Sequence, residues 1–427
     1  MNILNLEYEK YKLNNGLEVI LHQNNYHPLV SVNVWYKAGS ANEKKGKTGI
    51  AHLFEHMMFQ GSRNVPKEMH FRYIQEAGGS LNGSTSFDRT NYYEKVPSNF
   101  LELILWLESD RMCMLLPALT QEKLNNQIDV VRNERLERYD NQPYGLAWET
   151  ILNNLYPKEH PYSWPTIGYI KDMNGYTLQD VIEFFDNYYS PSNACLTIAG
   201  NFDINNTKKL IDKYFSDIDS KNNPITLSLP EPIKLKKGKV INKQENVQLE
   251  RLYLAWPTEK AFDPYDSSLD ILGDILSGTK NARLYKSLVY DREIAQDVTA
   301  YQYSGKYAGH FLIIATAKPG VSLLLLKEEI LKEINNISSN GVTQKELFRS
   351  KNGIKSSFIY SMQHIDSLAD QLNFYNFYLG EPNSFNYDLA RYENITQENI
   401  KECINKYFKS NHIELFIAPI NGEVLKQ

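Results

Sequence analysis

Apolar residues along the chain fall into short blocks, some alternating with polar residues and some recurring at helical spacing. Residues 17–22 follow the turn signal Asn14-Asn15-Gly16, and residues 29–37 carry Val30, Val32, Val34 and Trp35; both predict strands. Thr48 is placed to cap a helix over residues 49–59, and a second helix fits residues 67–77, ended by Gly78-Gly79. Residues 80–87 and 91–96 predict adjacent strands, Ser98 caps a strongly apolar helix, and Thr120 opens a long helix reaching about residue 139. Strands and helices mix without regular βαβ alternation, which predicts an α+β fold.

Two landmarks recur. Residues 177–200 and 396–419 align without gaps 219 residues apart, with Thr177, Glu183, Tyr188, Leu196, Ile198 and Ala199 repeated identically. Each copy reads as a capped helix followed by a strand. The strand and helix of residues 29–37 and 49–59 recur over 248–256 and 265–276, with Gly61 matching Gly278 217 residues later. Nearly equal offsets at both ends of each copy predict a duplicated domain. The expected division is a first domain over 1–222, a linker over 223–240 containing Pro224, Pro230 and Pro232, and a second domain over 241–427.

Composition narrows the function classes. Of 427 residues, 42% are hydrophobic and 23% charged, which excludes disorder and fibrous repeats. Lys plus Arg number 46 against 51 for Asp plus Glu, so no electrostatic footprint for nucleic acid exists. No apolar run approaches a membrane-spanning length; residues 311–317 suit a buried strand. Residues 1–5 lack the basic region and apolar core of a signal peptide, so a cytoplasmic location is expected, or a periplasmic one if a leader has been removed. Cys113, Cys195 and Cys403 are scattered and odd in number, giving neither a disulfide framework nor a cysteine zinc site.

One segment carries chemistry: Ala51-His52-Leu53-Phe54-Glu55-His56-Met57-Met58-Phe59. His52 and His56, four apart on the predicted helix, share a face and can bind one metal ion. Glu55, beside that pair, can accept a proton from a water and deliver it to a leaving amine. A His-x-x-Glu-His string arises by chance about 0.01 times in such a chain, and its three polar residues interrupt an otherwise apolar helix. The repeat is an internal control, because the matching positions of the second copy are Leu269, Leu272 and Gly273. The fold therefore does not need the polar residues, and one metal site per chain is expected. A third ligand has to come from elsewhere; the helix after Thr120 offers Glu122, Asp129, Glu134 and Glu137, which spacing alone does not separate.

Over nearly its whole length the chain resembles the pitrilysin-type (inverzincin) metallopeptidases, which include the mitochondrial processing peptidase and its bacterial relatives. The resemblance rests on His52-Leu53-Phe54-Glu55-His56 with Met58-Phe59-Gln60-Gly61-Ser62, Gly78-Gly79-Ser80-Leu81-Asn82-Gly83-Ser84-Thr85, Val130-Val131-Arg132-Asn133-Glu134, and later Ser277-Gly278 with Arg283-Leu284-Tyr285. It implies two related α+β domains, His52, His56 and Glu134 as zinc ligands, and Glu55 as general base. It also implies that residues 78–85 form a substrate-binding edge strand, with Asn82 and Gly83 nearest the reacting bond, so that an extended peptide binds by β-augmentation.

Three departures stand out. Glu134 lies 78 residues after His56, slightly farther than usual. Gln127 stands where relatives often carry an outer-sphere Glu, removing a negative charge behind the ligands. Val289 and Gln296 stand where many relatives place an Arg and a Tyr that hold the substrate. The expectation is a zinc endopeptidase acting on peptides or unfolded segments, paired with a homologous subunit that supplies the Arg-Tyr pair. The alternatives are a homodimer, or a non-catalytic scaffold subunit. Gly46-Lys47-Thr48 lacks the leading glycine of a phosphate loop, and Gly78-Gly79-Ser80-Leu81-Asn82 lacks the closing glycine of a nucleophile elbow. His22, His27, His70, His160, His310, His364 and His412 form no pattern in the sequence.

Overall fold

The computed structural model describes residues 6–220, 227 and 233–420; Pro224, Pro230 and Pro232 of the expected linker lie outside them. The chain forms two compact units, each a mixed sheet packed with helices. One draws on Met1–Arg135, Trp164–Ser228 and Ile359–Asn386, the other on Leu136–Ser163, Leu229–Phe358 and Tyr387–Gln427.

The first unit holds β1 (Glu9–Lys12), β2 (Glu18–Gln23), β3 (Leu29–Tyr36), β4 (Ser80–Thr85), β5 (Thr90–Pro97) and β6 (Ala194–Gly200), in spatial order β1-β2-β6-β3-β5-β4. The second holds β7 (Lys239–Glu245), β8 (Arg251–Thr258), β9 (Ala295–Ser304), β10 (Gly309–Ala317) and β11 (Ile413–Pro419), in order β7-β11-β8-β10-β9. Apart from β1 the two orders are the same. Each has one parallel pair, β2 with β6 and β7 with β11, and antiparallel neighbours elsewhere. The duplication read from the sequence is thus a duplication of topology. The capped helices recur as well: Thr177 caps Leu178–Tyr188 and Thr396 caps Gln397–Cys403, each in a capping box.

Alternation along β3 sends Val30, Val32, Val34 and Tyr36 to one face and Ser31, Asn33 and Trp35 to the other. On the first face Tyr36 stacks on Tyr189, which also meets Phe54. On the second lies the helix Ile365–Leu379, whose Asp370 accepts from Asn33 Nδ2 (3.1 Å), Trp35 Nε1 (2.9 Å) and Asn91 Nδ2 (3.1 Å). In the second unit, Leu252, Leu254, Trp256, Phe311 and Ile313 pack against Leu269, Leu272 and Leu276 of the helix Asp266–Ser277. The reverse face of that sheet meets the segment around residues 147–156, where Trp148 packs on His310 and the Tyr156 hydroxyl lies 2.8 Å from His310 Nδ1. Each sheet therefore takes its second cover from the other half of the sequence. Among the described residues no helix is long and apolar enough to cross a membrane.

Candidate metal centre

The helix carrying the two histidines is α1 (Ile50–Met57), and its N-terminus is held from outside. Gly49, not Thr48, is the N-cap, at φ 92°, with the Ile167 carbonyl 2.5 Å from where a Cβ would stand. The Thr48 hydroxyl instead donates to Asp172 Oδ2 at 2.7 Å. Two of the N–H groups at this end go to Glu43, whose carboxylate accepts from Gly49 N and Ala51 N, each at 2.9 Å, and from Trp164 Nε1 at 2.9 Å. Burial pushes the Glu43 carboxyl up to about 8 against these three donors. Leu53, Phe54 and Met57 of α1 are buried in the core, which leaves His52, Glu55 and His56 half-buried along one edge.

A second helix, α2 (Met69–Glu76), leads to the Gly78-Gly79 turn, and α3 (Leu101–Met114) packs behind it. The third ligand candidate comes from α4 (Gln121–Arg135), where Leu124, Gln127, Val131 and Arg135 form the buried stripe. Glu134 projects beside that stripe, with its Oε2 3.7 Å from His52 Nε2 and 3.4 Å from His56 Nε2. Glu122, Asp129 and Glu137 are exposed, and Asp129 pairs with Arg132. One ligand atom from each of His52, His56 and Glu134 lies within 4.8 Å of the others. Zn–N and Zn–O bonds of about 2.0–2.1 Å in a tetrahedron put neighbouring ligand atoms about 3.4 Å apart, so this donor set fits a zinc ion with a fourth position left for water or substrate.

Glu55 faces the edge of the sheet. Its Oε2 accepts from the Thr85 hydroxyl at 2.6 Å, and a Cβ built on Gly83 would stand 3.1 Å from its Oε1. Burial raises the Glu55 carboxyl above its ordinary range, opposed by the Thr85 hydrogen bond and by the charges of His56 and Arg89. Among the described residues strand β4, which supplies Gly83 and Thr85, pairs only with β5 and is the last strand of its sheet. Ser86 N donates to Arg89 O across the following turn, so even-numbered residues face β5 and odd-numbered residues turn their backbone groups to the free edge. There the Gly83 N–H is held by the side chain of exposed Asn82. The apolar wall beside Glu55 is Phe59, with Phe71 and Tyr92 at ring distances of 4.8 and 5.7 Å.

A second group of ligand types was not visible in the sequence. His70 Nε2 lies 3.4 Å from Glu94 and 3.9 Å from Glu108, all buried. Arg111 pairs with both carboxylates and lies over the Tyr92 ring at 4.3 Å. The single guanidinium offsets the charge of one of the two carboxylates, burial raises both carboxyls above their ordinary range, and it pushes the His70 imidazole down to about 3. The group ties α2, β5 and α3 together, and all of its members are buried. Sequence reasoning also missed Glu43 and Asp172, whose partners lie 6 to 124 residues away, and gave no separate role to Thr85. Val289 lies in the π-helical turn Tyr285–Asp291, packed against the core, while Gln296 is exposed on β9.

Comparison with known proteins places this arrangement. The family model described as Insulinase (Peptidase family M16) matches residues 18–165, and that described as Peptidase M16 inactive domain matches residues 175–354. The chain is 31% identical over 368 residues to the zinc protease PqqE of Helicobacter pylori, covering 85% of this chain and 82% of the relative. It is 25% identical to a probable mitochondrial-processing peptidase subunit beta of Arabidopsis thaliana, over 96% of this chain and 78% of the relative. The crystal structure of a protease from Helicobacter pylori superimposes with a TM-score of 0.88 at 27% identity, covering 97% of this chain and all of that one.

Proposed function

The chain belongs to peptidase family M16, and from that premise we propose that it is a zinc-dependent endopeptidase acting on peptides or unfolded segments. The observation that carries the reading is the convergence of His52, His56 and Glu134 beside Glu55, which itself touches a free sheet edge. His52 Nε2, His56 Nε2 and a Glu134 carboxylate oxygen would hold the ion. A zinc ion there supplies Lewis acidity, lowering the pKa of a water and polarising a carbonyl oxygen. The peptide adds as an extended strand along the odd-numbered edge of β4, displacing Asn82 from the Gly83 N–H. Glu55 Oε1 takes a proton from the attacking water and returns it to the departing nitrogen. Gln127, buried on α4 two turns before Glu134, could hydrogen-bond toward the site without adding charge.

The substrate-holding cation and hydroxyl expected of the family are absent at Val289 and Gln296, since Val donates nothing and Gln carries no charge. We therefore assign this chain as the zinc-bearing subunit of a two-chain enzyme whose homologous partner contributes that pair. A homodimer without the pair is the alternative. A non-catalytic scaffold would have no use for four converging polar groups that the second copy lacks. Glu55→Gln should retain one zinc per chain and lose about 10²- to 10⁴-fold in turnover. Turnover surviving that change overturns the mechanism, and a wild-type protein that takes up no zinc in excess metal points to the scaffold. Full activity from the isolated chain, unchanged by a partner carrying the pair, overturns the two-chain assignment alone.

A further inference from the structure

Side chains alternate along β4, and the two faces have different work. Ser84 Oγ donates to Asn91 Oδ1 at 2.6 Å, and Asn91 Nδ2 lies 3.1 Å from Asn33 Oδ1, on the face away from α1. Gly83 and Thr85 face α1, where Gly83 has no side chain to occupy the space and Thr85 reaches Glu55. A glutamate has three side-chain torsions and, left alone beside a cleft, samples several of them. Thr85 is β-branched and sits at the last position of a paired strand, opposite Thr90, so its own χ1 is restricted. The Thr90 hydroxyl donates to the Ala38 carbonyl at 2.9 Å and lies 3.4 Å from Thr85 Oγ1. What fixes Thr85 to the sheet is the pairing of its strand opposite Thr90.

We infer that Thr85 is a positioning residue: its hydroxyl holds Glu55 Oε2 so that Oε1 alone faces the place where peptide and water meet. This deepens the peptidase reading and rests on it. The strand that receives the peptide is then the same strand that orients the base. A substrate seated in the wrong register on β4 would also be misplaced relative to Oε1, two residues from the clamp at most. Specificity and chemistry share one rigid element, which is how a narrow near-attack geometry is kept.

The test compares wild type, Thr85→Ser, Thr85→Val and Glu55→Gln as zinc-loaded protein, in the assembly found to be active. One internally quenched extended peptide is used, with zinc content and thermal midpoint measured alongside. Thr85→Val keeps the shape and removes the hydroxyl, so kcat should fall about tenfold or more while KM stays within about twofold and zinc remains at one per chain. Thr85→Ser should restore kcat to within about threefold of wild type. A Thr85→Val protein with unchanged kcat overturns the inference, as does a Thr85→Ser protein no better than Thr85→Val. If Glu55→Gln abolishes turnover while Thr85→Val does not, only the positioning role falls. If Glu55→Gln retains turnover, the peptidase mechanism falls and takes this role with it.

Discussion

The two units solve one packing problem in opposite ways. In each, a helix lies against the last strand of the sheet: α1 against β4 in the first, and Asp266–Ser277 against β9 in the second. In the second unit the contact is closed. Gly273 lets the strand approach until an added Cβ would stand 3.0 Å from Ala300 O, and Ser277 Oγ accepts from Ala300 N at 2.7 Å and lies 3.2 Å from Ala300 O. At Ala300 the backbone groups of that edge are engaged by its own helix. In the first unit the glycine is on the strand instead, at Gly83, and Glu55 fills the space it leaves. The Gly83 N–H is covered only by a neighbouring side chain. The same architecture thus holds either a sealed seam or a wedge of polar groups beside an open strand. The polar groups are what the fold does not require.

Replacing the wedge by the residues of its counterpart tests this most severely. His52→Leu, Glu55→Leu and His56→Gly together should abolish zinc binding and turnover while leaving the far-ultraviolet circular dichroism of the fold in place. Leu269 and Leu272 are completely buried at the matching positions. A triple variant that fails to fold would show that the polar groups carry structure as well. Moving one methyl group at each seam separates the two roles further. Gly83→Ala crowds Glu55 and Phe59 at 3.1–3.2 Å, so activity should drop about 10- to 100-fold with zinc retained. Gly273→Ala meets backbone at 3.0 Å, so it should cost about 1–3 kcal/mol of stability in denaturant unfolding. Equal effects of the two on stability would erase the distinction.

The covers differ as well. The first sheet is clamped by Asp370, which accepts three side-chain N–H groups; the second is covered by rings around His310, with a bond from Lys243 Nζ to Thr150 Oγ1 beside them. Asp370→Ala strands three donors and should cost about 2–4 kcal/mol, whereas Thr150→Ala should cost about 1 kcal/mol. Hydrogen exchange of β3 and β8 amides reads the two effects separately. If the ranking reversed, the polar clamp would be an ornament on a face held by apolar contact.

The duplication was legible because capping boxes are local: Thr177 with Asp180 and Thr396 with Asn399 announce two helices of one kind. The strands after them were legible in position but not in facing. Thr197 Oγ1 bonds Asn373 on the covering helix, so Leu196 points toward α1; Phe416 joins the core around Leu269, so Leu415 points the other way. Residues identical in a gapless alignment lie on opposite faces. The second helix continues into the π-helical turn Ile404–Phe408, which holds one more residue than an α-turn. One residue is enough to turn a strand over. Glu134 stood among four carboxylates because helix periodicity does not say how a neighbouring helix is rotated; its place beside the histidines is tertiary. The cap of α1 misled for the opposite reason. Thr48 has the right residue type, but Asp172 engages its hydroxyl and Glu43 meets two of the N–H groups at that end. The exchange of covering segments left no local mark, since each carries an ordinary amphipathic pattern.

The smallest expected contrast between the units is their response to acid. His310 in the second unit is surrounded by Trp148, Tyr156 and Tyr303, and burial pushes its imidazole down to about 3; His160, stacked on Tyr156, is pushed down to about 4. Among the described residues the first unit has one comparable histidine, His70, at about 3, but burial also pushes its Glu43 carboxyl up to about 8 and, in the second unit, the Asp270 carboxyl up to about 7. A histidine whose folded pKa is depressed stays neutral while the unfolded chain takes up a proton. Its contribution is complete above the unfolded value near 6.5, and it is lost as pH falls from there toward the folded value. Each such group removes about 1.4 kcal/mol per pH unit within that window. A buried carboxyl with a raised pKa works the other way, gaining stability as pH falls toward its unfolded value. Between pH 6.5 and 5 Glu43 offsets His70 in the first unit, whereas Asp270 offsets only one of the two histidines in the second. The second unit should therefore weaken while the first holds, opening earlier in hydrogen exchange at β10 than at β5. His310→Phe keeps an aromatic ring in the same surroundings and removes the titrating group, so it should flatten the dependence of the second unit and leave that of the first unchanged. If β10 and β5 protection instead fell in parallel in the wild type, and the variant moved neither, burial of neutral histidine would not be what sets the acid response.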